Sequence, residues 1–411
     1  MSREQCMSLL GGWEGYGVGT IGRFEAGDQG PRAEVWIELH PKADAPMRCH
    51  ACGSACEQVH DMQERWVRDL PVFDADTWLL VHRRRVWCDR CGGPKLEAVS
   101  WLPAYARVTA RLAAQVARLC EALPIKCVAD YFALNWKTVK QIDKQALLKK
   151  LGPVDLSDVQ VIAMDEFAIQ KGHRYATVIV EARTKRVLWV GRGRGREDVR
   201  PFFAALGHAG CAKLEAVVMD MSAAYAEEVK AWCPQASIVY DLFHVVAKYG
   251  REVIDRVRVD EANRLRHDKP ARKVIKGSRW LLLRNKKNLH QAQDRVRLRE
   301  LLAANRKLAT VYVLKDDLKQ LWRYRRVGAA RRFWRQWYNR AIRSRIEPLK
   351  SFARKLKGYL DGILAHCRWP LHTSMLEGIN NKIKVLKRVA YGYRDDEYFF
   401  LKIRAAFPGD G

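Results

Sequence analysis

Two short runs constrain the fold most: "VQVIAMD", residues 159–165, and "LEAVVMD", residues 214–220. Each is an apolar, β-branched stretch of strand length, and each ends in Met-Asp, at Asp165 and Asp220. Two more strand-like runs, "RYATVIVEA" and "RVLWVGRG", follow the first and are separated by the turn "RTK". "EDVRPFFAALG" reads as a helix opened by acids, "AAYAEEVKAWCP" as a second helix, and "ASIVYD" as a fifth strand ending at Asp241. Three antiparallel-looking strands followed by helix–strand alternation predict an α/β domain, a mixed sheet with helices on its faces.

If the first and fourth strands lie side by side, Asp165 and Asp220 become neighbours. Buried carboxylates so placed repel unless they share a proton or a cation. Oxygen ligands of this kind suit Mg²⁺ or Mn²⁺, and two such ions can activate an attacking oxygen and stabilise a leaving one in phosphodiester chemistry. The plainer alternative is that each aspartate caps the helix after it. Glu377 sits in a segment opened by Thr373 and Ser374, at the head of a helical run carrying Lys382, Lys384, Lys387 and Arg388. On such a helix Glu377 could complete a metal site while the cations hold DNA backbone, or it could be an ordinary first-turn acid.

The charge points the same way. The chain has formal net charge +28, and residues 245–370 hold 35 Lys and Arg against 11 Asp and Glu. An excess this concentrated suggests a polyanion, most often nucleic acid. No stretch approaches the roughly 20 apolar residues needed to span a bilayer, so no membrane partner is expected. The opening "MSREQCMSLL" has no apolar run of leader length, which suggests a cytoplasmic protein.

In such a compartment, clustered cysteines point to metal rather than disulfides. Cys49 and Cys52 form "CHAC", and Cys88 and Cys91 form "CDRC"; glycine follows each pair. Two pairs supply the four thiolates of one structural Zn²⁺, and "TWLLVHRRRVW" between them can form the strand that returns the second pair to the first. Cys56, His50 and His60 are spare ligands. Next, Leu112, Val116, Leu119 and Leu123 recur at helical spacing, and Pro124 interrupts. "KCVADYFALNWKTVKQIDKQAL" reads as helix, turn, helix, with Val128, Ala129 and Phe132 packing on Val139 and Ile142. The second helix, starting near Trp136, would present Lys137, Thr138 and Lys140 outward, as a DNA-reading helix does.

In order along the chain, the paired Cys-x-x-Cys, "MDEFAIQKGHRYATVIVEA", "VLWVGRGR", "AVVMDMSAAY", "IVYDLFHVV", "GSRWLLLRN" and "EGINNKIKVLKRVAYGYRDDEYF" resemble the DDE transposases of the ISL-three insertion-sequence family, over about residues 45–405. The resemblance implies an RNase H-like catalytic fold whose acidic triad, here Asp165, Asp220 and Glu377, binds two Mg²⁺ (or Mn²⁺) ions. It also implies a helical insertion between the second and third acids. The expected order is an unassigned segment 1–44, a zinc-binding module 45–100, a helix-turn-helix 101–152, a first catalytic part 153–244, a basic all-α insertion 245–370 and a second catalytic part 371–411.

The implied partners are double-stranded DNA, as transposon ends and target, and at least one further copy of the chain. The implied activity is strand cleavage and strand transfer in the bacterial cytoplasm, at the nucleoid. Rival readings are a DNA-binding regulator or relic without chemistry, and an RNase H-like structure-specific nuclease. Glu166, Asp241, Asp395 and Asp396 are weaker metal candidates, and His244 could orient a phosphate or be structural. Of Trp280, Trp322, Trp334 and Trp337, most should be core, and one could stack on an unpaired base.

Overall fold

The structure, a computed structural model, describes residues 11–26, 32–170, 172, 174–284, 288–289, 291–371 and 374–409. The chain forms two compact units, Met1–Gly152 with Lys387–Leu401, and Pro153–Leu386 with Lys402–Gly411. Thr373, His372 and the side chain of Ser374, which open the Glu377 segment, lie outside the described residues.

In the first unit the strands are β1 (Tyr16–Phe24), β2 (Glu34–Pro41), β3 (Met47–Arg48), β4 (Ala55–Cys56), β5 (Val59–Val72), β6 (Ala75–Cys88) and β7 (Gly93–Leu96). The main sheet runs β1-β2-β6-β5, with β7 on the far end of β6. β2 and β6 are parallel; the other pairs are antiparallel. Alternation decides the faces: Ile37 and Leu39 of β2, Val67 of β5 and Leu79 and Val81 of β6 point into one core with Trp13, Trp101 and Leu102. Residues 16–41, which the sequence patterns leave unassigned, therefore share a sheet with the zinc-binding module. A boundary at residue 44 cuts between paired strands.

Three helices follow, α1 (Ala110–Cys120), α2 (Ile125–Tyr131) and α3 (Trp136–Leu151). Leu112, Val116, Val128, Ala129, Phe132 and Val139 form their core, with Leu119 and Ile142 partly buried against it. Leu123 departs from the expected stripe: α1 ends at Cys120 before Pro124, and Leu123 is exposed. Asn135 caps α3 by accepting the Lys137 amide at 2.9 Å, which sets the start of that helix where the sequence puts it. The Lys387–Leu401 stretch packs in this unit too. The Tyr398 hydroxyl donates to the buried Asp143 carboxylate, and Lys144 pairs with Glu397 at 2.7 Å.

The second unit is built on β8 (Val161–Gln170), β9 (Arg174–Glu181), β10 (Val187–Arg192), β11 (Ala216–Met219) and β12 (Ser237–Tyr240), in the order β10-β9-β8-β11-β12. β10, β9 and β8 are antiparallel neighbours, while β11 runs parallel to both β8 and β12. Helices α4 (Arg196–Lys213) and α5 (Ala223–Trp232) make the crossovers between parallel strands. Residues 161–165 are buried without alternation, so both faces of β8 are covered. The mixed α/β sheet expected from the sequence is thus present.

Past α6 (Leu242–Tyr249), every described element up to Cys367 is helical. Trp334 and Trp337 are buried there, and the Trp337 indole donates to the Leu314 carbonyl at 2.8 Å. Trp322 packs partly buried against the same core. Only Trp280 of the four singled out is exposed, with the Arg279 guanidinium over its ring. A last long helix spans Ser374–Val389. Among the described residues no helix is long and apolar enough to cross a membrane.

Candidate functional site

Asp165 and Asp220 do not occupy equivalent strand positions. β11 stops at Met219 and Asp220 lies just beyond it, whereas β8 continues to Gln170, so Asp165 is mid-strand, opposite Val178 of β9. The expectation that this strand ends at Asp165 is corrected: the hairpin with β9 carries β8 onward. What ends there is the parallel pairing. Its last registered pair is Ala163 with Val218, and each aspartate lies two residues further on. Asp241 follows β12 in the same way, its amide bonded to the Met219 carbonyl at 3.1 Å. Three parallel strands thus deliver three aspartates to one edge.

His244, on the first turn of α6, faces them. Its Nε2 lies 4.0 Å from Asp165 Oδ1 and 3.8 Å from Asp241 Oδ2. Asp241 also caps α6 by accepting the Phe243 amide at 2.7 Å, so the capping alternative holds for Asp241. Asp220 is different. Its Oδ1 is buried and, among the described residues, has no hydrogen-bond partner. Asp165 accepts the Glu166 amide on one oxygen at 2.8 Å and the Asn380 side-chain amide on the other at 2.7 Å.

Burial, reinforced by the Asp220 and Asp241 charges, pushes the Asp165 carboxyl up to about 6, against the pull of His244. Asp220 is raised by burial as well, with the Glu166 charge adding to it. These groups oppose ionisation in one another's company, and Asp220 Oδ1 lacks a donor. A hard cation would relieve both conditions, so the residues fit Mg²⁺ or Mn²⁺.

Glu377 stands in the first turn of the Ser374–Val389 helix and is exposed. It is not part of any tight ligand group among the described residues. The side chain that reaches Asp165 is Asn380, three residues later and hence on the same side of the helix. Sequence reasoning passes over Asn380; its only signal is that spacing within "EGINN". Glu166 pairs with Arg194 at 3.2 Å, and Asp395 pairs with Lys140 at 3.0 Å. Asp396 lies in the first turn of its helix.

The raised Asp165 makes a test of cation binding. The folded protein holds this proton more tightly than the unfolded chain, whose value is near 3.8. The group's contribution to stability is therefore complete below about pH 4 and is lost as the pH rises through about 6. A cation that replaces the proton offsets that loss only at the higher pH. Mn²⁺ should raise the melting temperature at about pH 7.5, leave it unchanged near pH 4.5, and do neither in Asp165→Asn. Equal shifts at both pH values would contradict the site.

The four cysteines converge as expected. Cys52 and Cys88 lie 3.5 Å apart and Cys49 and Cys91 4.0 Å apart, and all four sulfurs fall within 4.8 Å of one another. A tetrahedral ion with Zn–S bonds of about 2.3 Å needs sulfurs about 3.8 Å apart, so the set fits zinc. Gly53 and Gly92, the residues after each pair, have φ of +72° and +64°, a turn that glycine makes without strain. The Ala51 amide points at Cys49 Sγ at 3.4 Å. The sulfurs titrate unequally: a Ser54 hydrogen bond draws Cys52 down to about 6, and Cys52 itself pushes Cys91 up to about 12. Cys56, His50 and His60 lie outside the set.

The expected DNA-contacting side chains divide. Lys137 is exposed beside the Trp136 ring, and Thr138 is half-buried. Lys140 is tied to Asp395, so it is not the outward-facing cation that the spacing suggested. Lys382 donates to the Ala406 carbonyl at 2.7 Å over the Phe407 ring. Lys384 and Arg388 are exposed, and Lys387 is half-buried.

A buried acidic edge on a mixed sheet, with a four-thiolate knuckle and a helix-turn-helix before it, is the architecture of a DNA-processing protein. Comparison with known proteins agrees. A family model described as "Transposase" matches residues 162–403, one described as "Helix-turn-helix domain of transposase family ISL3" matches residues 97–147, and one described as "zinc-finger of transposase IS204/IS1001/IS1096/IS1165" matches residues 45–91. The chain is 55% identical over 410 residues, the whole of both proteins, to "Transposase for insertion sequence element IS1001" of Bordetella parapertussis. It is 27% identical over 398 residues to "Transposase for insertion sequence element IS1557" of Mycobacterium tuberculosis, covering 91% of this chain and 88% of that one. The chain belongs to the ISL3 family of transposases. It carries that family's helix-turn-helix domain, a DNA-binding module, and its structural zinc site.

Proposed function

We propose that this transposase binds the terminal inverted repeats of an insertion sequence and catalyses divalent-cation-dependent strand cleavage and strand transfer, on an RNase H-like sheet. The observation that carries the reading is the convergence of Asp165 and Asp220 at the end of the β8–β11 pairing, with one Asp220 oxygen left without a donor. The strand order, with three antiparallel strands and two parallel additions, supports it.

Asp165, Asp220 and Glu377 are the proposed cation ligands, with Asp241 the competitor for the third place. Two hard cations there would supply the charge that acidifies an attacking hydroxyl and stabilises the leaving oxygen. The chain's own residues orient the acids: the Glu166 amide and Asn380 hold Asp165, and His244 offsets the negative charge of Asp165 and Asp241. Lys137, Thr138, Lys384, Lys387 and Arg388 are proposed to contact DNA, with Lys140 and Lys382 engaged elsewhere. The helices after β12 are proposed as a basic insertion that follows the DNA backbone, given their Lys and Arg excess. Pairing two transposon ends calls for at least two protomers, and the DNA substrate places the protein at the nucleoid.

The test is to incubate the protein with duplexes carrying candidate element ends and Mg²⁺, and to map any nick to the nucleotide. A nick at the element boundary, followed by joining to a second duplex, is expected. Binding without nicking would favour a regulator. Cutting of branched DNA regardless of sequence, without joining, would favour a structure-specific nuclease.

A further inference from the structure

The N-terminal sheet holds a second ligand cluster that the three family matches do not explain. Among the described residues two groups of His, Cys, Asp and Glu place their donor atoms within 4.8 Å of one another: the four cysteines, and Glu38 with His40 and His82. The zinc-finger match begins at residue 45, so Glu38 and His40 lie outside it.

The cluster follows from strand register. β2 and β6 run parallel, pairing Glu38 with Leu80 and Leu39 with Val81. His40 and His82 come next on each strand and are level. Glu38 and His40 are two residues apart on β2, so all three side chains share one face. That is the face opposite the core formed by Leu39 and Val81. The two imidazoles stack with centroids 4.2 Å apart and planes 13° from parallel. Both direct Nε2 at a single oxygen: Glu38 Oε1 lies 2.9 Å from His82 and 3.3 Å from His40. The other Glu38 oxygen lies 3.4 Å from the Thr20 amide of β1.

Around a tetrahedral ion with bonds of about 2.0–2.1 Å to nitrogen and oxygen, donor atoms sit about 3.3 Å apart. The two nitrogen–oxygen separations match that spacing. The outer side of one ring is also arranged. Glu64 of β5, level with His82, places a carboxylate oxygen 3.7 Å from His82 Nδ1. A metal-bound imidazole carries its hydrogen on that nitrogen, and a carboxylate there fixes the tautomer. His40 is half-exposed, which leaves room for a water as fourth ligand.

We propose that Glu38, His40 and His82 bind a second divalent transition-metal ion, with Zn²⁺ the expected occupant. Imidazole and carboxylate donors select that class. The ion links β2 to β6 and so fastens the β1–β2 pair, contributed by residues 16–41, to the sheet that carries the cysteine knuckle.

The test uses untagged full-length protein, dialysed to equilibrium against micromolar Zn²⁺ and analysed for zinc per chain by mass spectrometry. Two zinc ions per chain are expected in the wild type and one in His40→Ala, whose side chain is exposed enough for the sheet to persist. One zinc at saturation in the wild type overturns the proposal, as do two in His40→Ala. A second readout does not depend on a histidine variant. Zn²⁺ should protect His40 and His82 of the wild type from diethyl pyrocarbonate, and Glu38→Gln should abolish that protection. Equal modification with and without Zn²⁺ in the wild type overturns the proposal.

Discussion

Asp220→Ala protein will bind element-end DNA with near wild-type affinity and lose cleavage by at least about 10³-fold, because transition-state charge at the scissile phosphate loses its counterion. The fold should survive the change. Asp220 is buried among like charges with an unpartnered oxygen, so its removal relieves repulsion rather than breaking a pair. Melting temperature, end-DNA affinity and single-turnover nicking measured together separate these effects. Glu377→Ala should match Asp220→Ala. Asp241→Asn, which changes a neighbour that caps α6 and faces His244, should cost about 10- to 100-fold, the range of groups that orient ligands. Cleavage that persists in Asp220→Ala would sink the two-cation reading. Full activity in Glu377→Ala with none in Asp241→Asn would move the third ligand to Asp241.

The second large effect concerns zinc. Cys88→Ser should release the zinc of the four-thiolate site, one ion per chain, and weaken end binding by two orders of magnitude or more, since zinc in small modules contributes roughly 10–16 kcal/mol of apparent binding free energy that is also folding free energy. Cys88 is buried, 3.5 Å from Cys52, and closes the end of β6. The second unit has its own core, running from β8 through the later helices, so its cooperative unfolding transition should persist. Cys56→Ser, outside the sulfur set, should change neither zinc content nor binding. Metal analysis beside a DNA-binding titration decides the matter, and unchanged zinc in Cys88→Ser would refute the four-thiolate site.

Much of this architecture is legible in the order of the amino acids. The five strands from Val161 to Tyr240, the helix starts at Trp136 and Ala223, and the zinc quartet are local: period, caps and Cys-x-x-Cys spacing specify each within a few residues. Other features are not legible there. That β8 runs five residues past Asp165 depends on its hairpin with β9. The place of residues 16–41 depends on β2 finding β6 in parallel, a pairing of positions 42 apart in sequence. The loss of Lys140 to Asp395 joins residues 255 apart, and Asn380 rather than Glu377 touches Asp165 across 215 residues.

By itself, then, the sequence determined which elements form, which of them bear acids, thiols and cations, and so that this chain would hold metal and meet DNA. Those properties arise from neighbouring residues and need no knowledge of distant ones. Only the tertiary structure decided which acids share an edge, which lysines remain outward and that two histidines and a glutamate meet on the N-terminal sheet. Register and strand order are collective outcomes of burial across the whole unit, and no window of sequence contains them.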